Sequence, residues 1–107
     1  MSAPADAAVW HLTTDGKPAT MGAEGFVHAS LTHQLAGTLE LHFVGVDRIV
    51  LLRLDRERLG EKLVFEPSRG GEDFPHVYRE LEDADVLERR ELVREADGGF
   101  GLSSLPA

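Results

Sequence analysis

Three histidines in strand-like surroundings, one glutamate and a few hydroxyl and aromatic residues are the side chains of this chain that could do chemistry. His11 is central in Val9-Trp10-His11-Leu12-Thr13, and His28 and Ser30 lie in Gly25-Phe26-Val27-His28-Ala29-Ser30-Leu31. Glu66 closes Lys62-Leu63-Val64-Phe65-Glu66, while Phe74, His76 and Tyr78 alternate in Phe74-Pro75-His76-Val77-Tyr78. Imidazoles can hold hydroxyls or phosphate and exchange protons near neutrality. A carboxylate beside a sugar stabilises the positive charge that grows as a glycosidic bond breaks, more in the transition state than before it. Phe74 or Tyr78 could stack on a ring.

Each residue also has a purely structural reading. His28 could be a core histidine satisfied by a backbone carbonyl, His76 part of a rigid Pro-His turn, and Glu66 a strand-end carboxylate paired with an arginine. Ser30 reads most simply as a helix cap, Tyr78 as a core or rim aromatic, and His33 and His42 as surface or packing residues. His11, His28 and His76 with Glu66 could also hold a metal, but no two share the i, i+4 spacing of a helical metal pair.

The elements that must position these residues follow from the pattern. Val9–Thr13 has strand character, and the Gly25–Leu31 run reads as a strand feeding a helix capped by Ser30 or Thr32. Leu31, Leu35, Leu39 and Phe43, with Leu41 near the seam, give that helix its apolar stripe, and Gly45 is placed to stop it. Arg48–Asp55 is nearly continuous in apolar residues, which predicts a strand buried on both faces. Arg56–Gly60 reads as a turn or helical turn, Lys62–Glu66 as a strand and Ser68–Asp73 as a polar loop. Pro75 cannot donate to a ladder, so Phe74–Tyr78 is expected as a fixed turn and short edge strand. Asp97-Gly98 signals a hairpin between strands at about Glu88–Val93 and Phe100–Leu102.

The 107 residues make one domain: a disordered lead over 1–8 and a single α+β domain over 9–107. Its expected architecture is a mixed, twisted sheet of about five or six short strands with one principal helix. The formal net charge of −8, from 19 acidic and 11 basic residues, argues against a nucleic-acid partner. Most of the arginines, scattered among acids, read as solvated surface charges. With no cysteine there are no disulfides or thiolate sites. No apolar run approaches membrane-spanning length, and a soluble cytoplasmic protein is the default.

Gly25-Phe26-Val27-His28-Ala29-Ser30 followed by Gln34, then Phe65-Glu66-Pro67, Gly70-Gly71 and Phe74-Pro75-His76-Val77-Tyr78, resembles domain-of-unknown-function family 952, small bacterial proteins. The resemblance runs from about Val9 to Leu102 and implies a minimal ADP-ribosyltransferase-like fold, with NAD or a related nucleotide as substrate. It places His11 at the first-strand ribose-contacting position, His28 and Ser30 at the second-strand pair, and Glu66 in the acidic catalytic role. His76, Tyr78 and Phe74 belong to the smaller family's own pattern and complete the ligand-binding set. Members of the family usually carry a helix with Trp and Ala where this chain has only the Thr14–Glu24 loop. The resemblance therefore implies a transferase or glycohydrolase acting on NAD, or a non-catalytic relative that keeps the pocket and binds a small molecule; a histidine metal site is the third alternative. Oligomeric state is not legible.

Overall fold

The computed structural model describes residues 7–18, 21 and 23–106. In chain order come β1 (Val9–Thr13), β2 (Val27–His28), β3 (Ser30–Leu31), a 3-10 turn (Thr32–Gln34), α1 (Leu35–His42) and β4 (Arg48–Leu54). The one-turn helix α2 (Arg56–Leu59), β5 (Leu63–Pro67), β6 (Asp73–Val77) and β7 (Val86–Val93) follow. The strands form two sheets, ordered β3-β1-β4-β7 and β2-β6-β5. Every pairing is antiparallel. The α+β class holds, but two antiparallel sheets replace the single mixed sheet expected; parallel pairing needs long crossovers, which these mostly short connections do not supply.

The Gly25–Leu31 run is the seam between the sheets rather than one strand. Val27 and His28 pair with Val77 and His76 of β6, whereas Ser30 and Leu31 pair with Trp10 and Val9 of β1. The chain changes sheets at Ala29, whose amide donates to Pro75 O at 3.1 Å. A strand that switches sheets makes a corner of this kind.

β6 is the central strand of its sheet, not the edge expected from Pro75. Because Pro75 O accepts from Ala29, the proline nitrogen also faces the β2 side, where that ladder has run out. No ladder bond to β5 is lost.

β4 is the buried strand its composition predicts: Ile49, Leu51, Leu52 and Leu54 are all buried. On one side Val9, Leu52 and Leu54 meet Val27 and Val77 of the small sheet, with Leu59 and Leu81. On the other, Trp10, Ile49 and Leu51 meet Leu35 and Leu39 of α1 and Phe100 and Leu105 of the C-terminal segment. That insertion explains why no strand follows the Asp97-Gly98 turn: Phe100 leaves the ladder for the core, and a 3-10 turn, Leu102–Ser104, replaces the expected strand. Ala8, assigned to the lead by composition, is likewise buried in this core, and Ala7 O accepts from Arg56 Nη1 at 2.8 Å. Residues 1–6 lie outside the described residues.

Neither Ser30 nor Thr32 caps the helix. Thr32 Oγ1 accepts from Trp10 Nε1 at 2.8 Å and donates to Pro106 O at 2.6 Å. The turn is instead closed by buried Gln34, whose Oε1 accepts from Leu31 N at 2.9 Å while Nε2 donates to Asp73 O at 2.8 Å and Glu72 Oε1 at 2.9 Å. One amide thus ties α1 to the start of β6. Gln34→Ala strands the buried Leu31 amide and is expected to cost about 1–3 kcal/mol of stability in urea unfolding; an unchanged midpoint would deny it that role.

Candidate functional site

Strand alternation builds the site. In the small sheet Val27, Val77, Leu63 and Phe65 turn toward the core. The opposite face therefore receives His28, His76, Glu66 and Phe74, because His28 stands opposite His76 and Glu66 opposite Phe74 across their ladders. Phe26 and Tyr78 extend the same face, Phe26 stacking on the His76 ring at 4.1 Å between centroids and meeting Tyr78 at 5.5 Å. His28 meets His76 edge-on at 5.4 Å.

His76 is the centre of the arrangement. The residue is 6 % exposed, and Nδ1 lies 2.8 Å from Glu66 Oε1, which also accepts from the Tyr78 hydroxyl at 2.5 Å. A carboxylate only accepts, so Nδ1 carries a proton, and in the neutral form of the ring the lone pair is then on Nε2. The hydrogen bonds from Tyr78 and then His76 hold the Glu66 carboxyl below its ordinary range, and the same contact raises the Tyr78 phenol. His76 Nε2 is buried and has no hydrogen-bond partner among the described residues.

Beside it runs a groove of about 510 Å³, to which the small sheet contributes His28, Phe74 and His76, β1 contributes His11 and Leu12, and the end of α1 contributes Leu41 and His42. Ser30 and Thr38 line it too, their hydroxyls 3.0 Å apart. His11 crosses the seam: its Nδ1 donates to His28 O at 2.8 Å. The histidine satisfied by a backbone carbonyl is thus His11; the His28 side chain is 59 % exposed and pairs through Nε2 with Glu24 at 2.8 Å. Burial lowers the His11 pKa below the ordinary 6.5, outweighing the opposing carbonyl bond. A lowered histidine pKa gives stability that is complete above about 6.5 and declines as pH falls through that value, because the unfolded chain takes up the proton first. An imidazole NMR titration should place the His11 midpoint below 6.5; a midpoint above it would contradict this geometry.

Of the residues singled out from sequence, His11, His28, Ser30, Phe74 and His76 border the groove, while Glu66 and Tyr78 reach it only through His76. Glu24, Thr38, His42 and Phe43 are further lining residues that sequence reasoning missed or took for surface. Glu24 had one signal, its i, i+4 spacing from His28. No three metal-ligating groups converge among the described residues.

The family model described as "Protein of unknown function (DUF952)" matches residues 3–89. The chain belongs to the DUF952 family. Among solved structures, it is similar to the crystal structure of protein CC0527 from Caulobacter crescentus, at 32% identity over 89% of this chain and 94% of that one, with TM-score 0.77. A double-mutant form of CC0527 gives 31% identity, the same coverage and TM-score 0.76. Its solution NMR structure gives 32% identity over 85% and 89% of the two chains, with TM-score 0.71. Comparison with curated proteins gave no match. The DUF952 member described here thus shares its fold over nearly the whole chain with a solved protein. Among the described residues no helix is long and apolar enough to cross a membrane.

Proposed function

We propose that the groove binds a small ligand of nucleoside or nucleotide type, with His76 Nε2 accepting a hydrogen bond from a ligand hydroxyl or N–H. The observation that carries this reading is the buried, unpartnered Nε2 of a ring whose other nitrogen is fixed by Glu66. Such an atom lacks a compensating partner, and a ligand donor supplies one. Phe74 and Phe43 offer flat apolar surface for a base or nicotinamide ring, and His11 and His28 add polar contacts.

The lining contains histidines and one carboxylate, Glu24, but neither lysine nor arginine among the described residues. Recognition therefore rests on the nucleoside part, and phosphates add little. In a calorimetric titration with adenosine, ADP-ribose, NAD and nicotinamide, adenosine and ADP-ribose are expected to bind within about tenfold of each other, roughly 1.4 kcal/mol. No heat from any of the four, or binding only by the phosphate-bearing ligands, would overturn the reading.

A hydrolytic role for the same site is favoured by Glu24, the carboxylate that lines the groove. In this version Glu66 orients His76, and Glu24 faces the positive charge on the ribose as the bond between its C1′ and the nicotinamide nitrogen breaks. The electron pair leaves with nicotinamide, water adds to C1′, and His76 Nε2 takes the water's proton. Nicotinamide release that Glu24→Gln abolishes while NAD still binds supports turnover; binding without release leaves a non-catalytic ligand-binding module.

A further inference from the structure

We propose that this protein pairs with a second copy of itself through the free edge of β7, joining the two four-stranded sheets into one. β7 has eight residues and ends the order β3-β1-β4-β7, so one of its sides has no strand beside it. Arg94 N donates inward to Asp47 O at 2.7 Å. Alternation then turns the backbone amides and carbonyls of Arg89, Glu91 and Val93 outward. Among the described residues no hydrogen bond reaches those groups. Val86–Val93 contains no proline and no lysine, residues that commonly blunt such an edge, and although Leu87 is the extra residue of a β-bulge, the pairing with β4 is regular over Glu88–Val93.

The side chains on one face of β7 fit a copy of themselves. Arg89, Glu91 and Val93 share that face, and Val93 and the bulged Leu87 are 52 % and 58 % exposed. A two-fold axis perpendicular to the sheet keeps each face on its own side, so only residues of equal parity can stand opposite. With the axis at Arg90, Arg89 meets Glu91, a pair that occurs twice, and Val93 falls opposite the bulged Leu87. Moving the axis to Arg89 or Glu91 sets two like charges of the exposed face against each other, which is unfavourable.

The existing contacts of these groups allow the pairing. Arg89 bonds Gly16 O at 2.9 Å and Asp83 at 3.0 Å, and Glu91 has only a 3.4 Å contact with Arg48, all at exposed positions. Arg90, at the axis, shares the Glu88 carboxylate with Arg53, at 3.0 and 3.3 Å, and lies over the Trp10 ring at 6.0 Å. Trp10 is on β1, beyond β4, so the Arg90 guanidinium leans away from the edge.

Sedimentation equilibrium of the full chain tests this, with circular dichroism confirming the fold of each variant. The wild type is expected to dimerise, and Glu91→Arg and Arg89→Glu are each expected to weaken the dimer by about tenfold or more, since each sets like charges opposite twice. Mixing the two variants restores opposite charges across the axis and should restore a dimer, now a heterodimer. A wild type that stays monomeric to millimolar concentration, a dimer indifferent to both reversals, or a mixture that does not recover would overturn the proposal.

Discussion

Arg79→Leu is expected to lower folding stability by about 3–5 kcal/mol, because it leaves the Asp85 carboxylate buried with most of its compensation removed. Asp85 is fully buried. Arg79 grips it with both terminal nitrogens, at 2.7 and 2.8 Å, Arg58 Nε adds a contact at 3.0 Å and Glu82 N donates at 2.8 Å. The cluster joins the turn before β7 to α2, and Asp85 O accepts from Asp55 N at 2.7 Å, so several connections share one anchor. Arg79 first, then the backbone and Arg58, hold the Asp85 carboxyl well below the ordinary carboxylate range, and Asp85 in turn raises Arg79. A lowered carboxylate pKa stabilises fully above the unfolded value of 3.8 and loses that contribution as pH falls through and below it. Urea unfolding across pH 3 to 7 should therefore show an acid decline, and Arg79→Leu should shrink it, because a carboxyl without Arg79 is no longer held so far below 3.8. A loss below about 1 kcal/mol at neutral pH would mean that water reaches Asp85 after all.

The second large effect is expected at His76. His76→Phe keeps a ring of similar size against Phe26 and removes the buried side-chain nitrogen that has no hydrogen-bond partner among the described residues. Ligand affinity should fall by about ten- to a hundredfold, roughly the 1–3 kcal/mol of a buried hydrogen bond that can no longer form. Stability should fall much less, since only the bond to Glu66, itself half-exposed, disappears from the free protein. Glu66→Gln should give the same direction with a smaller loss, because glutamine can still orient the ring by accepting from Nδ1. If His76→Phe binds as tightly as the wild type, the groove does not use this ring. If it fails to fold, Glu66→Gln still decides, since it leaves the packing intact.

The sequence made the alternation legible, and with it most of the site. Phe26 and His28 fall on one face, opposite Val27, by periodicity alone, and the apolar run of β4 predicts its burial. What composition could not show is the change of sheet at Ala29: the inward and outward pattern of Val27, His28, Ala29 and Ser30 is the same whether one sheet or two receives it. The same limit hid β6 as a central strand, because a proline reads as an edge signal until the length of its neighbour is known. Arg58 and Arg79 read as solvated charges among acids, and only the fold brings them to Asp85. Glu24, in a loop without periodicity, becomes a groove residue only once β2 lies against β6.

Imidazole nitrogens can be observed individually, and a proton–nitrogen correlation spectrum of the histidine side chains, recorded with and without adenosine, tests the central claim most directly. The structure predicts a His76 ring protonated on Nδ1, with an Nε2 resonance that moves on adding adenosine while exposed His33, paired with Glu72, stays in place. A His76 ring protonated on Nε2, or an Nε2 resonance that ignores every nucleoside while His76→Phe leaves binding unchanged, would contradict it.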